Sequence, residues 1–511
     1  MGDISKLKIA LGQMELVEGQ PSRNERACDA MIERALDAGA DALVVPNSLV
    51  DENDVKVIGL NDTRIDVAGN VVVLDARGDA FRIGLGRGVE DCDFTVRADL
   101  SPFTLEPCSD EDEGPSIVVK PVGIRDRGKK VLAYAGGSKV VGRDGHACMR
   151  LRSDFEEDFC LVDFSGNAEC GEAQDSILLD ALVSSLRRFD VQALPFSPRW
   201  IVGLSGGLDS SVTAALLVLA LGAERVVAYN MATRYNSKAT KDNAASIAEA
   251  LGIEYKTGSI EALVVSMGNT LVQYGYPQDA LKGLVLENVQ ARTRGNLLQT
   301  FAAVEGGVVV NNGNRIECAL GYATLYGDAI GAFAPIADVT KVQLFDVARQ
   351  INERFGREVV PANLLPELSD QAISWETPPS AELASEQRDP MKWFYHDWLI
   401  SRLLGDGREH ALPLYDAACE IISLYAETKL AGTEVEPWIR YYGLDDPYAF
   451  AADLEWIVSS MRRSAFKRIQ SPPMLAIASR ASINAGPESQ VFQEPTPRYN
   501  ALMRKLTTVR G

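Results

Sequence analysis

The first 165 residues carry short apolar runs separated by turn residues. A strand is predicted at Lys8–Leu11, a helix at Asn24–Ala38, where apolar residues recur at helical spacing, and a strand at Asp41–Pro46. This succession predicts a β-α-β unit at the start of the chain. Further strands are predicted over residues 70–74, 117–120 and 139–141.

The pattern changes after residue 175. A helix is predicted at Ser176–Phe189, followed by a buried strand at Arg199–Leu204. Strands and helices then alternate to about residue 345, which predicts a parallel sheet with helices on both faces and hence an α/β fold. The other strands of this sheet are predicted over residues 225–230, 253–256 and 308–311. From Trp393 onward the pattern is mostly helical.

A small, polar run, Ser165–Gly171, separates the two regions and is typical of a linker. The sequence therefore predicts an N-terminal domain over residues 1–165 and a linker over 166–180. A second domain with a helical C-terminal tail follows over 181–511.

Composition excludes several classes of protein. The 511 residues hold 51 Lys+Arg against 71 Asp+Glu, so the net charge of −20 disfavours a nucleic-acid partner. No apolar run reaches 18 residues, and we expect no membrane partner. The 8 Cys form no C-x-x-C pair and no signal peptide is apparent, which indicates a cytoplasmic protein with free thiols. Anionic substrates must then be held by loop amides, a few cations or a metal.

The strongest chemical signal is the segment Leu204–Ser211, which reads L-S-G-G-L-D-S-S. It follows a predicted strand and opens a predicted helix at Val212–Leu221. Glycines let backbone amides approach an anion, and the helix N-terminus adds its positive dipole end. The segment resembles the pyrophosphate loop of the N-type ATP pyrophosphatases, which cleave ATP to AMP and pyrophosphate while adenylating a substrate.

Later motifs resemble the NAD synthetases within that superfamily. They occur in the same order from about residue 180 to 482, which makes coincidence negligible. The matching segments are Glu287–Gly295 (E-N-V-Q-A-R-T-R-G), Asn312–Glu317, Gly321–Asp328, Gly331–Ile336 with Thr340-Lys341, Thr377–Leu383 and Phe466–Pro473.

The resemblance implies a role for each matching residue. ATP would be bound by Ser205, Gly206, Gly207, Ser210, Ser211 and Asn312, and deamido-NAD by Asn288, Arg292, Glu317 and Lys467. The implied metal is Mg²⁺, carried by Asp209 and Glu317. The implied catalytic residues are Asp209, Lys341, which neutralises phosphates, and Asp328, which lies near the nicotinate and ammonia.

Two residues depart from the family pattern T-G-N-K-x-E. Asn312 stands where Thr is usual, and its amide can still hydrogen-bond ATP with different geometry. Arg315 stands where Lys is usual, so a planar fork replaces a point charge. Both changes put the affinity for nucleotide in question more than the class of reaction.

The N-terminal region resembles the nitrilase-like glutaminase domain fused to many bacterial NAD synthetases. The segments that carry this resemblance are Ile9–Gln13, Gly39–Pro46, Leu100–Phe103 and Gly136–Ser138. Such amidases need a Glu base, a Lys and a Cys nucleophile. Asn47 stands where the Glu is expected and Val89 where the Cys is expected, while Cys92 lies three residues further on. We therefore predict a truncated, inactive glutaminase domain.

These observations predict a ligase that amidates deamido-NAD with ATP and free ammonia, through an acyl-adenylate, and that forms a homodimer or larger homo-oligomer. Three alternatives remain open at this point. Glutamine could serve through Cys92, another nucleophile or a separate glutaminase. The chain could be a catalytically impaired, dinucleotide-binding regulator of an active NAD synthetase. It could also be a sister ligase that amidates another adenylated carboxylate.

Overall fold

The structure is a computed structural model and describes residues 6–49, 51, 54–105, 114–162, 164, 178–369, 372–380, 382–383, 389–405, 412–478 and 494–508. The predicted linker run Ser165–Gly171 lies outside these residues. The chain divides into two compact units. The N-terminal unit comprises Met1–Arg127 and Val131–Ala193, and the C-terminal unit comprises Gly128–Lys130 and Leu194–Gly511.

Strands dominate the described part of the N-terminal unit. Its elements are β1 (Ile9–Gln13), β2 (Glu15–Val17), α1 (Pro21–Asp37), β3 (Ala42–Pro46), β4 (Val55–Gly59), β5 (Arg64–Ala68), β6 (Val71–Ala76), β7 (Asp79–Leu85), β8 (Phe94–Ala98), β9 (Ser116–Val119), β10 (Val122–Arg127), β11 (Lys130–Ala135), β12 (Lys139–Val141), β13 (Ala147–Arg150), β14 (Asp158–Leu161) and α2 (Leu178–Ala193).

Two sheets pack face to face in this unit. One has the order β14-β1-β3-β4 and the other the order β13-β12-β9-β8-β7-β6-β5. Strands β1 and β3 run parallel and are joined by α1, which confirms the predicted β-α-β unit. Because side chains alternate along a strand, Ile9 and Leu11 face the other sheet, whereas Ala10 packs toward Met31 and Ala35 of α1.

The N-terminal unit holds more strands than the sequence predicts. Strands β4 to β7 follow one another through short turns, and Gly69 and Gly78 adopt positive φ in two of them. Short strands on a mixed sheet are half-buried, so they lack the long apolar runs that identify a buried strand. The β-α-β start and the two stacked sheets agree with an α-β, nitrilase-like architecture.

The C-terminal unit begins with a strand and continues mainly through helices. Its elements are β15 (Arg199–Gly203), α3 (Leu208–Leu221), β16 (Val226–Ala232), α4 (Lys238–Leu251), β17 (Glu254–Ser259), α5 (Glu261–Gln273), α6 (Leu284–Glu305), β18 (Gly307–Val309), α7 (Arg315–Leu320), α8 (Lys341–Phe355), β19 (Glu367–Ser369), β20 (Ala372–Ser374), α9 (Tyr395–Leu404), α10 (Leu414–Thr428), α11 (Glu436–Tyr441), α12 (Pro447–Arg463), α13 (Ala465–Gln470), β21 (Met474–Ala476) and α14 (Pro497–Thr507).

The predicted parallel sheet is present, with the strand order β17-β16-β15-β18 and parallel pairing throughout. Helix α6 packs against Ile201 and Val227 of this sheet through Ala302 and its neighbours. Helix α3 packs against the same two strands, β15 and β16. Helices α9 to α12 surround a separate apolar core that includes the buried rings of Tyr425 and Phe450.

The predicted helical pattern from Trp393 onward is confirmed, since α9 to α14 follow this residue. Apolar residues of these helices form the core that they surround. Among the residues that the structure describes, none of the helices combines the length and apolar character that crossing a membrane requires.

Candidate active site

The segment 204–211 forms the turn between β15 and α3, at the carboxyl end of a central strand. In open parallel sheets, ligands bind at this end of the strands. Gly206 has φ +86°, and a Cβ there would lie 1.9 Å from the carbonyl oxygen of Thr240, so only glycine fits. The hydroxyl of Ser210 donates to the carbonyl oxygen of Gly207 at 3.1 Å, which fixes the turn over the first residues of α3.

This turn opens into a cavity of about 520 Å³ within the C-terminal unit. Most of the residues predicted to bind substrates line it. They are Ser205, Gly207, Asp209, Ser210, Asn288, Asn312, Glu317, Asp328, Lys341 and Lys467. Gly206, Ser211 and Arg292 lie outside the lining: Gly206 lies beneath the loop against Thr240, and the buried hydroxyl of Ser211 donates to the carbonyl oxygen of Gly207 at 2.6 Å.

An ion pair between Asp209 and Lys341 lies at the mouth of the loop. Asp209 is in the first turn of α3, and the Nζ of Lys341 donates to its Oδ2 at 2.5 Å. The Nδ2 of Asn314 approaches the other carboxylate oxygen at 3.3 Å. Lys341 is the first residue of α8 and is almost fully buried. Burial alone would lower the pKa of Lys341, but the carboxylates of Asp209 and Glu317 outweigh it and raise that pKa.

Glu317 brings a second carboxylate to the same place. It belongs to a capping box at the start of α7, where the backbone amide of Asn314 donates to its Oε2 at 3.1 Å. Its pKa is raised well above the ordinary value because of burial and, next, because of the negative charge on Asp209. Two carboxylates therefore share one lysine, and such crowding of like charges is typical of a functional site.

Asp328 and Lys467 line another part of the cavity. Asp328 is open to the cavity but surrounded elsewhere by protein, and this burial raises the pKa of its carboxyl group. Its Oδ1 accepts from the backbone amide of Thr324 at 2.5 Å. The Nζ of Lys467 donates to the carbonyl oxygens of Gly321 and Ala323 at 2.8 and 2.7 Å, and burial lowers the pKa of this lysine.

Helix α6 presents one face to the cavity. Asn288 lines the cavity and accepts a hydrogen bond from Thr324 at 2.8 Å. Arg292, which was expected to face the dinucleotide, is exposed and donates to the carbonyl oxygen of Leu325 at 3.2 Å. The cavity-lining positions form a helical stripe centred on Ala291, and Arg292 lies just beyond its edge. They are Leu284, Glu287, Asn288, Ala291, Arg294, Gly295 and Leu298.

Arg294 also lines the cavity, although the sequence analysis assigns it no substrate. Its guanidinium donates to the carbonyl oxygen of Met231 at 3.1 Å and to Asn236 at 3.4 Å. Burial lowers its pKa to about 10, with Asp328 acting in the opposite direction. The helical spacing of the lining stripe was the signal that could have found it.

The two departures from the family pattern occupy different environments. Asn312 lines the cavity and donates to the carbonyl oxygen of Gly203 at 3.0 Å, so it faces the ATP site that the resemblance implies. Arg315 does not line the cavity. It is buried, lies 3.5 Å from Asp338 and donates to the hydroxyl of Ser401 at 3.1 Å. The Arg for Lys change therefore alters internal packing rather than a direct contact in this cavity.

The donor set can be tested against the implied Mg²⁺. Among the described residues, three or more His, Cys, Asp or Glu side chains nowhere come close enough together to hold a metal ion. Asp209 and Glu317 nevertheless place two carboxylates in one cavity, with the charge of Asp209 raising the pKa of Glu317. Mg²⁺ is usually bound by one or two carboxylates plus substrate phosphates, so this pair fits an ion that arrives with a nucleotide.

The residues at the lost glutaminase positions lie in the N-terminal unit. Asn47 follows β3, and its Nδ2 donates to Oδ1 of Asp54 at 2.6 Å. Val89 and Cys92 lie in the connection between β7 and β8, where the thiol of Cys92 points at the carbonyl oxygen of Val89 at 3.1 Å. The contacts found for Cys92 are thus with its own turn and with Gly84 beneath it.

Comparison with known proteins finds a family match in the middle part of the chain. The NAD synthase family model matches residues 178–400. The curated glutamine-dependent NAD(+) synthetase of Synechocystis is 32% identical over 376 residues, which are 72% of this chain and 59% of that protein. The corresponding Acinetobacter baylyi protein is 30% identical over 69% of this chain and 59% of its own length. The chain thus spans about 59% of these relatives.

Solved structures are similar in fold over nearly the whole chain. A glutamine-dependent NAD(+) synthetase from Cytophaga hutchinsonii gives a TM-score of 0.67 at 14% identity, covering 98% of this chain and 99% of that one. The Acinetobacter baumannii glutamine-dependent NAD+ synthetase, solved with ADP, gives 0.58 at 21% identity and covers 95% and 99%. At these identities the likeness establishes the two-domain α/β fold.

Proposed function

Because the NAD synthase family model matches residues 178–400, we propose that this chain converts deamido-NAD to NAD with ATP and free ammonia. The observation that carries the proposal is the cluster of Asp209, Glu317 and the buried Lys341 beside the loop after β15. This arrangement suits a reaction that develops negative charge on a leaving pyrophosphate.

The reaction has two steps. The nicotinate carboxylate attacks the α-phosphorus of ATP, an acyl-adenylate forms and pyrophosphate leaves. The loop amides near Gly207 and the ammonium of Lys341 stabilise the leaving phosphates. Ammonia then attacks the acyl carbon and AMP leaves. Asp328, whose carboxyl pKa is raised by burial, accepts the proton that ammonia loses.

Mg²⁺ would be held by Asp209 and Glu317 and would neutralise charge on the departing pyrophosphate. Asn288 and Lys467 would contact deamido-NAD, and Ser205, Ser210 and Asn312 would contact ATP. Gly206 and Ser211 would contribute by shaping the loop, because neither lines the cavity.

The nitrogen source is the part of the proposal that departs from the relatives, which are named as glutamine-dependent enzymes. The amide of Asn47 has no basic carboxylate and cannot deprotonate a thiol, and it is hydrogen-bonded to Asp54. Burial raises the pKa of Cys28, which makes this thiol a poor nucleophile. These features favour a domain that retains the nitrilase-like fold without amidase activity.

The test is formation of NAD from deamido-NAD, Mg-ATP and ammonium by the purified chain, together with ATP–pyrophosphate exchange. We expect exchange only when deamido-NAD is present, and one AMP released for each NAD. Absence of both activities would contradict the proposal and favour a regulator that binds the dinucleotide. Exchange that ignores deamido-NAD but responds to another carboxylate would favour a sister ligase.

We also propose that the C-terminal unit pairs with a second copy of itself. Helix α5, the turn after it and the start of α6 expose several large apolar side chains, and exposed apolar surface of this kind is typical of protein–protein contacts. Equilibrium sedimentation should give at least twice the mass of the chain, and Val265→Asp should lower it. The patch comprises Leu263, Val265, Met267, Val272, Tyr274, Tyr276, Leu284 and Val285, each between 44% and 80% exposed.

A further inference from the structure

Helix α9 touches the starting points of two helices that carry cavity residues. Asp397 and Ser401 lie one turn apart on α9, so they point from the same side of the helix. Asp397 contacts the start of α8, whose first residue is Lys341. Ser401 contacts Arg315, the first residue of α7, which also carries Glu317. Helix α9 therefore contacts the first residues of both α8 and α7, the helices that carry Lys341 and Glu317 of the proposed site.

Asp397 satisfies backbone groups that would otherwise be unpaired. Its carboxylate accepts from the backbone amides of Lys341 at 3.4 Å and Val342 at 3.1 Å, the first two amides of α8. The hydroxyl of Thr340 accepts from the third, that of Gln343. The opening turn of a helix lacks internal acceptors, and an anion there also interacts favourably with the helix dipole.

Retaining this carboxylate in the interior has an energetic cost. Asp397 is only 6% exposed, and burial raises its pKa to about 6. The amides of α8 oppose that shift, and so do the positive charges of Arg315 and Lys341. A neutral side chain would fill the same space without that cost, so the charge points to a purpose other than packing.

Helix α9 is itself held firmly in place. Nδ1 of His396 accepts from the backbone amide of Lys392 at 2.9 Å, so Nε2 carries the proton and donates to Asp453 at 3.0 Å. Lys392 pairs with the same Asp453. His396 is fully buried, and burial lowers its pKa, which keeps the ring neutral. The helix can therefore act as a fixed reference for α8.

We infer that Asp397 is a positioning residue that holds the first turn of α8 so that the Nζ of Lys341 meets Asp209 beside the pyrophosphate loop. Asp397 and Asp209 contact opposite ends of Lys341. Its backbone amide is bound by Asp397, and its Nζ lies 2.5 Å from Asp209 and 5.5 Å from the centre of the Trp393 ring. A shift of about 1 Å at a catalytic group can cost about 100-fold in rate, so the anchor matters.

The inference rests on the proposed function for the role of Lys341, and the experiment separates the two. Asp397→Ala is made in the wild-type chain and in Lys341→Ala, and kcat/KM for Mg-ATP is measured in all four proteins. We expect a loss of at least about tenfold in the wild-type background and less than twofold in Lys341→Ala, because coupled residues are not additive.

Equal losses in both backgrounds would overturn the inference, because Asp397 would then act on the fold and not through Lys341. Should Asp397→Ala not fold, Asp397→Asn keeps one acceptor oxygen and enters the same cycle. The matched control is Asp446→Ala. Asp446 caps α12 by accepting from Tyr448 at 3.4 Å, and α12 contributes nothing to the described cavity lining. It should lower the melting temperature without lowering kcat/KM.

The affinity for Mg-ATP is also measured by calorimetry for the same four proteins. If the wild type makes no NAD but binds Mg-ATP, and Asp397→Ala weakens binding only when Lys341 is present, the proposed function fails while the inference stands. If the wild type makes NAD and both cycles are additive, only the inference fails. If neither turnover nor Mg-ATP binding is found in the wild type, both fail.

Discussion

One charged site in each unit can be compared, and the two sites differ in how their charges are balanced. In the N-terminal unit, Asp99 lies 3.0 Å from Lys120, and although burial alone would raise the pKa of Asp99, Lys120 and Ser101 lower it to about 2. The fully buried Gln13 donates to two carbonyl oxygens and accepts from the amides of Gly137 and Ser138. Each of these groups has partners that match its charge or polarity.

In the C-terminal unit, by contrast, Asp209 and Glu317 crowd around the single ammonium of Lys341. A raised carboxyl pKa means that the fold works against the charged form, whereas a lowered one means that the fold supports it. The polar groups around Asp99 and Gln13 therefore stabilise the N-terminal unit. In the cavity of the C-terminal unit, two carboxylates lie close together at a cost in stability, which the proposed reaction would explain.

The largest effect should come from the crowded site. Asp209→Asn removes a charge that Lys341 and a nucleotide-borne cation would share, and we expect turnover to fall about 100- to 1000-fold with the fold intact. Steady-state kinetics and circular dichroism check this. Asp416→Asn is the matched control, since it changes the same residue type in the first turn of α10. Near-normal turnover of Asp209→Asn would remove Asp209 from the proposed metal site.

The paired charge should matter for stability alone. Asp99→Asn should lower the free energy of unfolding of the N-terminal unit by about 2 kcal/mol at neutral pH. Because the pKa of Asp99 is lowered on folding, its contribution is present above the unfolded value of 3.8 and is lost as pH falls through about 2. Urea unfolding at pH 7 and at pH 2.5 measures it. Asp75→Asn, at an exposed position on β6, should change little. Equal stability of Asp99→Asn and wild type at pH 7 would contradict the comparison.

The crowded carboxylate should show the opposite sign. Glu317→Gln keeps an acceptor for the amide of Asn314 and removes a charge beside Asp209. Without Mg²⁺ it should raise the free energy of unfolding of the C-terminal unit by about 1 kcal/mol at neutral pH while lowering turnover. Because folding raises the pKa of Glu317, its unfavourable contribution grows as pH rises. A variant less stable than wild type would contradict this expectation, because the carboxylate of Glu317 would then stabilise the fold.

The smallest effect is expected at the cysteine that lies near the lost nucleophile. Cys92→Ala should leave both NAD formation and the choice of nitrogen source unchanged, because the contacts found for this thiol are with Val89 of its own turn and with Gly84 of β7. Turnover with ammonium and with glutamine, compared in wild type and variant, checks it. A loss confined to glutamine would show that Cys92 is an active nucleophile.

The sequence predicts what local patterns encode. The β-α-β start, the parallel sheet and the turn at 204–211 follow from apolar periodicity, helix boundaries and glycine, and the structure contains each of them. The additional strands in the region from β4 to β8 are not predicted from the sequence, because short, half-buried strands carry little periodic signal. A motif gives residue types without the angular position that each residue takes on its helix, so the exposed position of Arg292 beside the cavity-lining stripe could not be read from the motif.

Other parts of the site depend on contacts between distant residues. Arg315 is part of a matching motif, yet its partners Asp338 and Ser401 turn it away from the cavity. Asp397 lies 56 residues from Lys341 and belongs to no motif that was matched. Long-range polar contacts of this kind leave no local pattern, so they become visible only when the chain is folded.

The most direct test of the account compares ammonium with glutamine as nitrogen donor for NAD formation from deamido-NAD and Mg-ATP. We expect turnover with ammonium and none above background with glutamine, since the crowded site would be active and the N-terminal unit would serve structure. Turnover with glutamine at a comparable rate would contradict it and would place an active amidase in the N-terminal unit.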